Sequence, residues 1–218
     1  MVQPFPGNLP RRPGRVCTAW ASALLAGLAH APAAQAYVIT ITAGTRAIYL
    51  QVGAGGYVGT YSSGGTPGNN ATVNVVSVAV PASTVGSGAP QAMTSNSSVA
   101  QSPIDGFVFC SPPGEVYIGA WSRPGPGNNV ATLSVTSPAS LSNGAQTIPF
   151  SQISWTMSGI GDTVFQFANG SFNGGTQVLG TLERNTWKEQ CMSFTYANAV
   201  LPAAGVYAGR VTYTLSLP

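Results

Sequence analysis

Read in steps of two, the stretch "VTYTLSL" (211–217) puts Val211, Tyr213, Leu215 and Leu217 on one face and Thr212, Thr214 and Ser216 on the other. That is the alternation of a half-buried strand. Short runs rich in β-branched and aromatic residues recur along the chain: "YVITITA" (37–43), "AIYLQV" (47–52), "ATVNVVSVAV" (71–80), "GFVFC" (106–110), "EVYIGAW" (115–121), "VATLSVT" (130–136), "TIPFSQISW" (147–155), "TVFQFA" (163–168), "QVLGTL" (177–182), "CMSFTYA" (191–197) and "VYAGRVTYTLSL" (206–217). Each predicts a strand. Clusters such as "SSGGTPGNN" (62–70) and "RPGPGNN" (123–129) separate them with turn chemistry. In 71–80 the apolar phase shifts between Val75 and Val76, which predicts a β-bulge.

After residue 36 no run of ten or more residues shows a helical period free of Gly and Pro. Many short strands without crossover helices predict an all-β fold, an antiparallel immunoglobulin-like β-sandwich, with a closed barrel as the structural alternative. A transmembrane barrel is disfavoured because most runs are interrupted before the length of about ten residues that a spanning strand needs. One internal echo is present. "PGNNATVNV" (67–75) resembles "PGNNVATLSV" (126–135), and "IYLQVG" (48–53) resembles "VYIGAW" (116–121), which suggests duplicated hairpins or reused turn chemistry.

Residues 1–36 read as a secretory signal peptide. Arg11, Arg12 and Arg15 form a basic region, "TAWASALLAGL" (18–28) is apolar but too short to span a bilayer, and Ala34, Gln35 and Ala36 form a cleavage site. This leaves 37–218 as one β-sandwich domain. Cleavage alters the electrostatics, because the formal charge of +3 includes those three arginines. The remainder carries Arg46, Arg123, Arg184, Lys188 and Arg210 against Asp105, Glu115, Asp162, Glu183 and Glu189, and is neutral. Neutrality gives no support to nucleic-acid binding. Charged residues are 6% of the chain, so its surface is solvated mainly by hydroxyls and amides.

Cys110 and Cys191 remain after cleavage, in a chain read as entering an oxidising compartment, and a disulfide between them is expected. Closing a loop of about 80 residues constrains the unfolded chain by roughly 4 kcal/mol. The sole histidine, His30, lies in the leader, so a metal site is disfavoured and a Ser-His-Asp or Cys-His arrangement is excluded. Glu183 and Glu189 are the one carboxylate pair worth weighing for hydrolysis, and they read as solvated loop charges near Trp187. No Gly-rich loop leads from a strand into a helix, so phosphate cradling fails as well. The reading is non-enzymatic, with no catalytic residue, metal or cofactor.

Trp121, Trp155 and Trp187 have aromatic faces that stack on sugars or pack in a core. Trp155, at the end of an alternating run, reads as core. Trp187, four residues before Cys191, reads as a cover for the disulfide or, like Trp121, as a ligand contact. The motifs beginning at Asn70, Asn96 and Asn169 fit N-glycosylation acceptors, which matter only in a eukaryote.

The segment 37–43 alternates too, with Val38, Thr40 and Thr42 on one side and Ile39, Ile41 and Ala43 on the other. Such strands either pair within one complete sandwich or are completed by a segment of another chain, as in donor-strand complementation. The leader, the paired cysteines, the low charge and "GVYAGRVTYTLSLP" (205–218), with Gly205, Tyr207 and Gly209 followed by Val211, Tyr213, Leu215 and Leu217, resemble bacterial fimbrial subunits of the chaperone–usher route. The resemblance implies an incomplete immunoglobulin-like sandwich, completed first by a periplasmic chaperone and then, in a fibre delivered through an outer-membrane usher, by the N-terminal extension of a neighbouring subunit. It implies that Val38, Ile39, Ile41 and Ala43 donate and that Tyr207, Val211, Tyr213, Leu215 and Leu217 edge the acceptor groove. The expected protein is a secreted structural or adhesive component of a surface fibre that meets a host or surface glycan. The rival is a self-contained extracellular domain that binds carbohydrate.

Overall fold

The computed structural model describes residues 47–60, 74–124, 130–159 and 167–217. The chain divides into two compact units, Met1–Thr40 and Ile41–Pro218, and every described residue belongs to the second. The leader, the donor candidates Val38, Ile39, Ile41 and Ala43, and most of 163–168 lie outside the described residues.

The described residues form strands β1 (Ala47–Val52), β2 (Gly55–Thr60), β3 (Val76–Ser77), β4 (Gln91–Ala92), β5 (Thr94–Ser95), β6 (Val116–Arg123), β7 (Ala131–Thr136), β8 (Ser140–Ser142), β9 (Thr147–Pro149), β10 (Ile153–Ser158), β11 (Gly170–Ser171), β12 (Thr176–Leu182), β13 (Trp187–Tyr196) and β14 (Thr212–Ser216). All recorded pairings are antiparallel, so the fold is all-β. A large sheet runs β11-β10-β13-β6-β1-β2, with β4 also on β13, and a small sheet runs β12-β7-β14. β3 with β5 and β8 with β9 form two-stranded ribbons.

The two sheets share one core in a sandwich arrangement. The large sheet contributes Val116, Ile118 and Ala120 of β6, Met192, Phe194 and Tyr196 of β13, and Trp155 and Met157 of β10; the small sheet contributes Ala131, Leu133 and Val135 of β7 with Leu179 and Leu182 of β12. Trp155 is 4% exposed, as its place in an alternating run predicts, and its indole N–H donates to Ala168 O at 2.8 Å. Phe150, Phe172, Trp155 and Phe194 make an aromatic chain at one end, with successive centroids 5.0, 4.8 and 6.4 Å apart for Phe150–Phe172, Trp155–Phe172 and Phe172–Phe194.

Several predicted strands are shortened or lost. In 147–155 a 3-10 turn at Phe150–Gln152 separates β9 from β10 and turns Phe150 into the core. In 71–80 the ladder keeps only β3; burial alternates without a break from Asn74 to Val80, so no bulge occurs there, and Val75 simply faces solvent. The recorded register shift lies in β12, between Val178 and Gly180. Segment 106–110 holds a single bridge, Gln101 with Val108. The last strand is confined to β14, preceded by a bridge of Ala208 with Ser142.

The glycine-tyrosine-glycine spacing before β14 has a local cause. A Cβ on Gly209 would stand 2.6 Å from the Phe150 ring and 2.9 Å from Leu141 Cδ2, so the chain passes this point only without a side chain. Tyr207 packs against the core and donates from its hydroxyl to Ala203 O at 2.8 Å.

Asn198 organises the loop over 84–89. It is fully buried, with φ of 54°, a left-handed conformation that asparagine tolerates better than most residues. Its amide donates to Thr84 O (2.9 Å), Ser87 Oγ (3.1 Å) and Ala89 O (3.4 Å), and its Oδ1 accepts from Gly86 N at 2.9 Å. Asn198→Ala removes four hydrogen bonds that hold the 84–89 loop and puts alanine at a left-handed φ, and it is expected to lower unfolding stability by about 3 kcal/mol, read by urea titration. A loss below about 1 kcal/mol would show that water replaces the side chain.

Candidate functional site

The most distinctive chemistry lies on the outward face of the large sheet, away from the shared core. Strict alternation sends Tyr117, Gly119, Trp121 and Arg123 of β6 and Trp187, Glu189 and Cys191 of β13 to this face, with Tyr49 and Gln51 of β1 beside them. Register aligns them in rows: Tyr49, Trp121 and Trp187 in one, Gln51, Gly119 and Glu189 in the next, then Tyr117 opposite Cys191.

Part of this face is roofed by a strap over 97–111. A tight hairpin forms through Ser102 N to Phe107 O at 2.8 Å, and Phe109 N and Cys110 N both donate to Ala100 O at 3.0 Å. Val99 and Phe109 pack on Cys110, Tyr117 and Cys191. The expected disulfide is present: Cys110 bonds Cys191 across a Cα–Cα distance of 5.6 Å and a sequence separation of 81. Trp187 packs against the same cluster, which fits its reading as a cover for the bridge.

Under this roof sits a carboxylate that the sequence reading misassigns. Glu189 is no solvated loop charge: it is 1% exposed on β13 and accepts a 2.8 Å hydrogen bond from the Tyr117 hydroxyl, which is itself fully buried. Gly119 makes this contact geometrically feasible, since a Cβ there would fall 2.1 Å from the Tyr117 oxygen. Burial, then the charge of Glu189 and its hydrogen bond, push the Tyr117 phenol far above the usual tyrosine range. Tyr49 is shifted upward for the same first two reasons, and its hydroxyl donates to Gln51 Oε1. Glu183, the other carboxylate weighed for hydrolysis, is exposed beyond β12.

The aromatic row flanks the pair. The Tyr49 and Trp187 rings meet at 5.1 Å, tilted by 38°, and the Arg123 guanidinium stands 5.3 Å from the Trp121 ring centre. Trp121 and Trp187, read from the sequence as ligand contacts, are therefore brought together; Tyr49, Gln51, Tyr117, Gly119 and Glu189 join them. Their signal was present as parity, because Trp187, Glu189 and Cys191 are two residues apart, as are Tyr117, Gly119 and Trp121.

Among the described residues, one group of possible metal ligands is tight enough to hold an ion: Cys110, Glu115 and Cys191, with ligand atoms within 4.8 Å of one another. Both sulfurs are joined in the disulfide, and the Glu115 carboxylate accepts from Ser111 N at 2.7 Å and from the Ser158 hydroxyl. The oxidised protein offers no thiolate there.

No protein-family model, curated protein or solved structure matches this chain.

Gly119→Ala is expected to drive the Tyr117 ring off Glu189 and lower stability by about 2–4 kcal/mol, while Gly114→Ala, exposed in its turn with nothing nearer than Ser111 O at 3.6 Å, gives a far smaller loss. Comparable losses for both would remove the close-approach argument.

The raised phenols of Tyr117 and Tyr213 set an alkaline limit. The unfolded chain releases a tyrosine proton near about pH 10 while the folded state retains it, so stability is full below that pH and falls above it by about 1.4 kcal/mol per pH unit for each such tyrosine. Tyr117→Phe should make the decline shallower by about that amount. Denaturant midpoints between about pH 8 and about pH 11.5 test this, and an unchanged slope would refute it.

Proposed function

We propose that the chain is a structural or adhesive subunit of a bacterial surface fibre, an incomplete immunoglobulin-like sandwich finished by a strand from a neighbouring copy. The observation that carries the reading is the state of β14. Among the described residues β14 pairs with β7 alone, so its other edge offers backbone N–H and C=O groups to a further strand. Burial falls off in the same direction. Leu133 and Val135 of β7 are 0% and 1% exposed, whereas Val211, Tyr213, Leu215 and Leu217 pack on the core yet stay partly exposed.

A strand laid along β14 would gain ladder hydrogen bonds and cover those side chains with its own alternate positions. The segment holding Val38, Ile39, Ile41 and Ala43 has that alternation. Export through the periplasm, protection of the open edge by a chaperone and delivery by an outer-membrane usher follow from this role, because an unprotected edge of this kind pairs with whatever strand it meets.

The test is to export the full chain, leader included, without any fibre partner, and to follow size and thermal unfolding. The reading expects slow polymerisation. A chain deleted for 37–43 should not polymerise, and a peptide of those residues added in trans should raise its melting temperature. A cooperative, permanently monomeric full chain would replace the fibre reading with that of a self-contained binding domain.

A further inference from the structure

The outward row of β1, β6 and β13 has a composition that the strand-edge reading leaves unused. Tyr49, Trp121 and Trp187 occupy directly opposed positions on three adjacent strands, and each is partly exposed. Neighbouring strands lie about 4.8 Å apart, so the backbone positions span about 10 Å, while the Tyr49 and Trp187 rings lean toward each other across β6 and meet at 5.1 Å. The Tyr49 and Trp187 faces are inclined to each other by 38°, and Arg123 lies 5.3 Å from the centre of the Trp121 ring. The indole N–H of Trp187 is enclosed and has no acceptor within hydrogen-bonding distance, an unsatisfied donor in the row itself.

Charge narrows the class of ligand. Among the outward positions of these three strands Arg123 is the one cation and Glu189 the one anion, and Glu189 is shielded beneath Tyr117. A polyanion would find a single cation. An aliphatic peptide would find flat rings and no aliphatic groove. Aromatic rings beside a guanidinium and an indole N–H suit a molecule with apolar C–H faces and a rim of hydroxyls.

We propose that the Tyr49–Trp121–Trp187 row is a binding site for a neutral saccharide. A sugar ring takes the place of the Arg123 guanidinium over the partly exposed indole of Trp121, its hydroxyls meet that guanidinium, and a hydroxyl that displaces the Tyr49 ring reaches the Trp187 N–H. The site is on the large sheet and β14 is in the small one, so it stands whether or not the fibre reading does.

The experiment titrates the exported full chain with soluble neutral oligosaccharides of glucose, mannose, galactose and N-acetylglucosamine, and follows tryptophan emission and heat. Saturable binding to at least one of them is expected. Trp121→Ala and Arg123→Ala should each weaken it by about tenfold or more while leaving the unfolding midpoint in place. Absence of saturable binding across the panel by folded protein would overturn the proposal. So would binding that both variants retain at full strength, or a row that captures heparin or an apolar peptide in place of every neutral sugar.

Discussion

The middle of the central pair, Val116–Ala120 of β6 with Glu189–Met192 of β13, is covered on both faces, and much of the molecule follows from that constraint. One face meets the small sheet, the other the strap over 97–111. Water is kept from both sides around Tyr117 and Glu189, so a carboxylate enclosed there needs a donor inside the protein, and each volume must be filled. Gly119 is the consequence of the second demand and the bond from Tyr117 to Glu189 of the first: a side chain at 119 would take the space the phenol occupies, and without the phenol a buried carboxylate would lose its donor. The disulfide fixes the roof to the strand it covers. Closing a loop of 81 residues restricts the unfolded chain by about 4.5 kcal/mol, a large share of the stability of an ordinary domain.

Neutral groups do the work that ions do elsewhere. Asn198 holds the 84–89 loop through four hydrogen bonds, Asn74 and Asn96 bond each other while accepting from Ala54 N and Val75 N, and Asn169 Oδ1 takes the amide of Met157. An amide side chain both donates and accepts, so it mimics the backbone partner a loop lacks and avoids the desolvation cost of a buried charge. This explains how a chain with 6% charged residues satisfies its loops, and it leaves the buried Glu189 as an exception that called for a dedicated donor.

Legibility followed the same division between local and non-local causes. Alternation located β1, β6, β7, β12, β13 and β14, because a strand with one face in a core writes that face into its own sequence. It failed at 147–155, where the pattern continues through Phe150–Gln152 although the chain coils there to place Phe150 against Phe172. It failed at 106–110 because apolar residues in a strap report a roof as readily as a strand. Glu189 was misjudged for a related reason. Periodicity states which face a residue takes, and Glu189 is met on that face by Tyr117, 72 residues earlier in the chain, whose ring is itself packed by Val99 and Phe109.

A centre closed in this way leaves the two margins proposed for contacts at the periphery. Along the small sheet exposure rises from β7 to β14, and on the large sheet's outward face the covered pair at Tyr117 and Glu189 gives way to partly exposed rings at Tyr49, Trp121 and Trp187. The two margins differ in what they offer. The β14 margin presents backbone, whose hydrogen bonds are indifferent to sequence, so selectivity there must come from the alternate apolar positions that fix register. The aromatic row presents ring faces and few directed polar groups, so selectivity there must come from the shape of what stacks on it. Both depend on the rigid centre. A strand edge keeps its register, and three rings keep their spacing, only while β6 and β13 stay locked beneath the strap.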